Sequence, residues 1–473
     1  MFADPRELRV VKKACHLKQR IKSNAVAFLL VLPLNLALAQ SVILYPRTAT
    51  VEFATKEPFT AYVNGGAGSQ AVDWYVNDVP GGNGKLGTIS QDGIYSAPAT
   101  GGFPVVIKAV SESGSGTATV MLSGSLPPIS CTTRRDSGVA GDINCTMQHD
   151  SRTRTALVHV PENFVPGTSG LLVALSGGDV EGTWFCQHAG SESLGWSRYL
   201  DSLPPPAPLL ICPNPVRVAG AGPQWNVIEF DSSHFDPPAP NDSDFIRQWI
   251  LWAGNNGVNL KAVGVMGMWL HGGTMAYQVA RDNYDLVAAV SSYNYNLRNA
   301  NGDATQAPNV PFPAGPVSVI ALNGAAPSNP LKMCGMRGGA VGKFLYSADQ
   351  LLSHWAAADN ITSFNTKKLM CQGYDGKGAG IWTGLDFKKG TTGILNTEVA
   401  YFALVGGTTK AYCSANAGCA PVVKLTTPAD RRNPYNSQLA ENPSLGVTLD
   451  DVIWLFFQNH PKPTNPARGR VSK

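Results

Sequence analysis

Three nearly uninterrupted apolar runs constrain the fold of this chain most: Leu171-Leu172-Val173-Ala174-Leu175, Ala262-Val263-Gly264-Val265-Met266 and Val317-Ser318-Val319-Ile320-Ala321-Leu322. Each is short and lacks the in-out alternation of a half-exposed strand, so each reads as a strand covered on both faces. Amphipathic helical stretches accompany them, at Phe245 to Ala253 and at Asp450 to Asn459, the latter carrying Val452, Ile453, Leu455, Phe456 and Phe457. Strands alternating with helices from residue 131 onward imply an α/β fold, a mostly parallel sheet with flanking helices.

The chain ahead of that point has a different texture. Residues 40–125 contain no cysteine and carry short alternating strands, such as Thr50 to Phe53 and Val105 to Val110. Turn clusters at Asn64-Gly65-Gly66 and Pro80-Gly81-Gly82-Asn83-Gly84 separate them, and with Trp74 looking inward they predict a small all-β sandwich. Ser123 to Ser130, with Pro127-Pro128, reads as a linker. The expected organisation is a sandwich over 40–125, a linker and disulfide loop over 126–150, and the α/β domain over 151–465. With 473 residues and 44% hydrophobic content, the chain can bury more than one core.

The first 39 residues predict a secretory signal peptide. Seven basic residues, Arg6 to Lys22, against Asp4 and Glu7 precede an apolar stretch that closes in Ala37-Leu38-Ala39. Interrupted by Pro33 and Asn35, it is shorter than the roughly 20 residues of a spanning helix, although an uncleaved anchor shares the pattern. The long basic stretch also fits a start further in. The net charge of +4 sits in this segment, so the rest of the chain offers no basic patch for nucleic acid and no membrane contact once the leader is removed. Eight of nine cysteines follow residue 130, an even number that predicts disulfides in an exported, periplasmic or extracellular protein. Proximity favours Cys131–Cys145 and Cys413–Cys419. No C-x-x-C, H-E-x-x-H or G-x-x-x-x-G-K-[ST] occurs, so no metal and no cofactor is expected.

Several segments, in order, resemble the secreted poly(3-hydroxybutyrate) depolymerase and feruloyl esterase group of α/β-hydrolases. Thr155 to Pro161 and Leu172 to Gly178 are similar to its leading strand and oxyanion-loop strand, and Trp225-Asn226 with Asn241 to Ile246 to the segment before the nucleophile strand. Gly272 to Tyr277 resembles the helix after the nucleophile, and Asp450 to Phe457 the closing helix, so the likeness spans about residues 150–460. In the first 125 residues, Val72 to Val79, Gly87 to Ile89 and Gly93 to Pro98 look like bacterial Ig-like domains, which imply a spacer or adhesive role.

The resemblance implies a serine esterase, yet the positions that would carry the chemistry depart from it. A G-x-S-x-G turn exposes its serine to a base and to backbone donors. Here the corresponding stretch is Gly267-Met268-Trp269-Leu270-His271-Gly272-Gly273, with Trp269 or Leu270 at the nucleophile position and one residue too many. The family's acid position falls on Pro327 in Asn323-Gly324-Ala325-Ala326-Pro327, its histidine position on Thr409, and its oxyanion-loop histidine on Ser176. Without nucleophile, base and orienter the triad has nothing to run on. Ser176, Gly177, Gly178, His271 and Trp225 remain as oxyanion-loop or pocket candidates. His271 reads as the variable residue before a glycine pair rather than a base, and Ser176 as a loop residue rather than a displaced nucleophile. Trp225 fits a substrate groove or the core equally. Asp242 and Asp244 suit a helix cap better than a cation site. Two functions follow: a catalytically impaired relative that binds an extracellular polymer or ester (a polyester, a feruloyl ester or a glycan), or an active serine carboxylesterase with an unrecognised nucleophile.

Overall fold

A computed structural model describes residues 41–64, 70–101, 104–112, 114–133, 139–178, 180–188, 195–227, 235–293, 313–325, 348–362, 364–368, 384–390, 394–405, 449–466 and 468. Residues 1–40, Cys413, Cys419, Pro327 and Thr409 lie outside them.

The α/β expectation is met by one eleven-stranded sheet. Its elements, in chain order, are β1 (Ile129–Thr133), β2 (Asp142–His149), β3 (Arg152–His159), β4 (Leu171–Leu175), α1 (Gly182–His188), α2 (Gly195–Asp201), β5 (Leu209–Pro213) and α3 (Asp242–Asn255). There follow β6 (Val263–Met268), α4 (Trp269–Asp282), β7 (Ala289–Tyr293), β8 (Ser318–Ala325), α5 (Ala348–Ala358), β9 (Phe364–Lys368), β10 (Gly384–Gly390), β11 (Val399–Val405) and α6 (Leu449–Asn459). The spatial order is β1-β2-β3-β5-β4-β6-β7-β8-β11-β10-β9. The six central strands β5, β4, β6, β7, β8 and β11 run parallel, and antiparallel strands extend both edges.

The apolar runs are the sheet's centre because they are covered twice. Leu171, Val173 and Leu175 of β4 pack with Phe245, Trp249 and Ile250 of α3, and with Met275 and Val279 of α4. Leu172 and Ala174 turn to the other face, towards Phe185, Trp196, Ile453 and Phe456. Burying each large side chain is worth about 1.5–3 kcal/mol, which accounts for a strand with no polar alternation.

The stretch expected as a linker and disulfide loop is instead part of this sheet. β1 and β2 pair in register through Cys131↔Cys145, which are disulfide-bonded, and only Leu126 to Pro128 separate β1 from the strand Gly114–Ser125. Alternation in β2, with Cys145 and Met147 packed into the core, outweighs the turn-like composition around it. A second disulfide, Cys186–Cys212, joins α1 to β5.

The N-terminal unit is all-β. A five-stranded sheet ordered Thr48–Phe53, Gly114–Ser125, Val105–Ser111, Asp73–Val76 and Val79–Pro80 shares one core with a four-stranded sheet containing Lys56–Pro58 and Ile94–Ser96. Trp74 is buried, and its indole N–H donates to the Gln91 carbonyl.

This unit is bound closely to the α/β domain through polar groups. Arg247 of α3 donates to Asp285 (2.6 Å), to the Thr50 carbonyl (3.2 Å) and to the wholly buried Glu57 (3.3 Å). Lys261 Nζ, also buried, donates to the Phe59 carbonyl (2.5 Å), Thr60 Oγ1 (2.7 Å) and the Pro463 carbonyl (3.3 Å). Beyond α6 the chain lies against the sandwich, where the Asn465 amide accepts from Ala61 N–H (2.9 Å) and donates to the Ala61 carbonyl (2.8 Å).

A second buried polar cluster joins β2, β3, α1 and α2. His159 meets Asp142 through Nδ1 and Asp201 through Nε2, both at 2.9 Å, while Gln187 donates to the other Asp142 oxygen. Burial alone would push the Asp142 carboxyl up, but the hydrogen bonds from His159 and Gln187 hold it below the usual value near 3.8. A lowered acid stabilises the folded state above its unfolded value, and that contribution disappears as pH falls through the lower, folded one. Asp142→Asn is therefore expected to cost about 1.5–3 kcal/mol in urea unfolding at pH 7, with the gap from the parent closing below about pH 4. A gap that stays constant down to pH 3 would contradict this assignment.

Candidate functional site

Strand order identifies the part of this sheet that can hold a ligand. From β4 the chain crosses to β5 on one side, then α3 carries it back past β4 to β6 on the other. At such a reversal, here between the carboxyl ends of β4 and β6, open α/β sheets place the crevice that binds their ligands. Ser176, Gly177 and Gly178 follow β4, and α4 begins immediately after β6.

The two sides of the crevice meet through glycines. At Gly272 a side chain would strike the carbonyl oxygens of Leu175 and Ser176, so its absence lets the first turn of α4 touch the end of β4. At Gly178 a side chain would strike the His271 imidazole, so this ring rests on the β4 loop. Trp225 closes the floor at 1% exposed, and its indole N–H donates to the Ser176 carbonyl at 3.0 Å. That burial decides between the two uses of Trp225: its ring faces are packed in the core, and only the N–H serves the loop.

The Trp225 segment is itself held from below. Asp242 accepts from the Asn226 N–H (2.6 Å) and from Arg154 (2.6 Å), whose guanidinium lies 3.9 Å from the centre of the Phe245 ring. Burial pushes the Asp242 carboxyl up, against the pull of Arg154. The helix cap is Asn241, which accepts from Asp244 N–H, while Asp244 itself pairs with His149 at 2.8 Å. The two aspartates thus occupy the first turn of α3, where negative charge suits the helix dipole, and they are spent on Arg154 and His149 rather than on a cation. Sequence reading named the acidic pair but not these partners, which lie about ninety residues earlier.

The sequence candidates Ser176, Gly177, Gly178, His271 and Trp225 therefore come together. Ser176 is buried, and its hydroxyl donates to the Val180 carbonyl at 2.6 Å, a bond within its own loop. Trp269 and Leu270 are the first two residues of α4, after Met268 with relaxed extended dihedrals (φ −116°, ψ 138°). Among the described residues with positive φ, none falls in β6 or α4. Pro327 and Thr409 lie outside the described residues; the strands that precede them in sequence, β8 and β11, pair through their last residues, Ala325 and Val405. Met268 offers no side-chain cap, so the first N–H groups of α4 form a partly positive helix end beside the Ser176 loop. Such an end can stabilise negative charge on an ester oxygen or hold a polar ligand atom.

No protein-family profile and no curated relative matches the chain. Among solved structures it is similar to an acetyl xylan esterase from Aspergillus awamori, at 13% identity and a TM-score of 0.36, covering 59% of this chain and 93% of that one. An S-formylglutathione hydrolase from Agrobacterium tumefaciens gives 13% identity and a TM-score of 0.30 over 48% and 85% of the two chains. A poly(3-hydroxybutyrate) depolymerase from Bordetella parapertussis gives 15% and 0.28 over 47% and 77%. These likenesses are loose. The α/β-hydrolase type of fold rests on the strand order and crossovers themselves. Among the described residues, no helix is long and apolar enough to cross a membrane.

Proposed function

We propose that this is an exported polymer- or ester-binding protein built on an α/β-hydrolase scaffold, impaired as a catalyst. In this reading residues 1–39 direct export, and the 40–125 unit is an Ig-like module fixed to the binding domain. The observation that carries the reading is the β6–α4 junction: strand passes directly into helix through Met268-Trp269-Leu270-His271, with no serine at the turn. The one hydroxyl in the adjoining loop whose bonding is described, Ser176, donates to Val180. What remains is a crevice with backbone donors and a histidine at its rim, suited to holding a carbonyl or hydroxyl rather than attacking it.

One observation favours the alternative of an active serine carboxylesterase. His271 rests on Gly178, two residues from Ser176, so a base and a hydroxyl share one loop junction. The purified chain is expected to turn over neither short-chain nitrophenyl esters nor methyl ferulate, and to resist labelling by a fluorophosphonate, while it is retained on an extracellular polymer. Turnover with stoichiometric labelling of one serine would replace the binding reading with the esterase one.

A further inference from the structure

We propose that the joint between the all-β unit and the α/β domain is a pH-sensitive latch, in which Glu57 of the first and Asp285 of the second share one proton. The latch is independent of what the crevice binds. Glu57 lies on the Lys56–Pro58 strand and is wholly buried, and Asp285, 8% exposed, follows α4. Each places one carboxylate oxygen on the Arg247 guanidinium, Asp285 Oδ2 at 2.6 Å and Glu57 Oε2 at 3.3 Å.

The remaining oxygen of each has no such cation. Glu57 Oε1 and Asp285 Oδ1 are both buried and meet no N–H or O–H donor. The two carboxyls instead lie within hydrogen-bonding reach of one another. Ionised carboxylates only accept, so a bond between them exists only while one carries a proton. Once both ionise, two buried like charges face each other across the joint and repel.

The surroundings put that proton on Glu57. Burial, then the Asp285 charge, push its carboxyl well above the usual value near 4.5, against the pull of Arg247 and Lys462. Glu52, on the neighbouring strand, faces Arg247 and accepts from Gln248. Tyr95, paired with Glu57 across the strands, and Tyr284 are pushed by burial up to about 12 and stay neutral. Lys462 Nζ donates to the Tyr284 carbonyl at 2.6 Å, and Lys261, with Asp92 facing it, completes the charged groups of the joint.

The raised acid and the lowered bases act in different pH ranges. A raised acid contributes fully below its unfolded value, and that contribution is lost as pH rises through the folded one. Burial pulls Lys462 down to about 8 and Lys261 down as well. A lowered base contributes above its unfolded value and loses this as pH falls through the folded one, so Lys462 opposes Glu57 only from about pH 8 upward. Lys261 titrates in the parent and in Glu57→Gln alike, so the difference between the two proteins belongs to Glu57. Mild acid therefore closes the latch, and pH rising towards neutrality loosens it.

Two measurements on the full chain test this. Infrared spectra at pH 6 are expected to show a protonated carboxyl band that shifts on carbon-13 labelling of glutamate and is absent from Glu57→Gln. Amide exchange, corrected for the intrinsic effect of pH, reads the joint at Ala61 N–H, bonded to Asn465, and at Val72 N–H, bonded to the Pro466 carbonyl. Between pH 5 and 7 it is expected to rise about tenfold in the parent, the factor that accompanies one pH unit of displaced titration, and under about twofold in Glu57→Gln, while β4 amides stay protected. Should the variant fail to fold, the labelled band and the exchange profile of the parent alone decide. Absence of a glutamate band at pH 6, joint exchange indifferent to pH in the parent, the same rise in Glu57→Gln, or a parallel loss of protection in β4 would each overturn the latch.

Discussion

Arg247→Ala is expected to destabilise the protein by about 3–5 kcal/mol at pH 7, the cost of leaving buried carboxylates without their cation. The guanidinium, 12% exposed, is shared by Asp285 and Glu57, whose side chains are 11% and 0% exposed. Burial, and then the Asp285 charge, push the Glu57 carboxyl well above its usual value near 4.5, while Arg247 pulls it down. A raised acid stabilises the fold fully below its unfolded value and loses that contribution as pH rises through its folded one. The Arg247→Ala penalty should therefore shrink as pH is lowered from 7 towards 4.5, where Glu57 is protonated. Adding Glu57→Gln to Arg247→Ala should recover at least half of the loss at pH 7, because the amide keeps the shape and removes the charge. Urea unfolding of the three variants at pH 4.5 and 7 measures this. A cost under about 1 kcal/mol at pH 7 would mean that the two units are held together without this cluster.

The same cluster marks the limit of what the sequence reveals. Glu57, Arg247 and Asp285 are separated along the chain by up to 228 positions, and each alone reads as a solvated charge on a strand, a helix or a turn. Nothing local distinguishes them. The clasp at Asn465 is equally silent, since its partners Ala61 and Gln70 lie some 400 residues earlier. The sandwich was therefore legible as a fold, from alternation and turns, but not as a unit fixed to its neighbour.

The centre of the sheet was legible because double burial leaves a signature in five or six consecutive residues. Its margins were not: β9 reads Phe-Asn-Thr-Lys-Lys and β10 Gly-Leu-Asp-Phe-Lys-Lys-Gly, edge sequences with charge where a central strand has none. Helices α3 and α6 appeared at their expected places, with α3 extended by three residues at its start through the Asn241 cap. Of the disulfides, Cys131–Cys145 followed from proximity and is a cross-strand pair, whereas Cys186–Cys212 joins a helix to a strand that only the crossover brings together. At the candidate site the β4 and β6 runs and the missing serine were plain in the sequence, whereas the crossover that sets the two strands side by side was not. The role of Trp225 was not, because a buried indole and a groove-lining one look alike in sequence.

Trp225→Ala is expected to cost about 3–5 kcal/mol, the range for emptying a buried tryptophan site, and to release the Ser176 loop at the same time. Trp225→Phe separates the two effects. It keeps most of the apolar contact with the core around Phe245 and Trp249 but removes the N–H that satisfies the Ser176 carbonyl. Leaving that acceptor buried should cost about 1–3 kcal/mol, less than the alanine change. Its effect on ligand retention should be out of proportion to its effect on stability, because Ser176, Gly177 and Gly178 form the β4 side of the crevice and His271 rests on their last residue. Hydrogen exchange at the 176–178 amides reads the loop directly: faster exchange is expected in Trp225→Phe while the amides of β4 stay protected. Unchanged exchange together with unchanged polymer retention would show that the indole fills space only and that the loop is held by Gly272 and the Val180 bond.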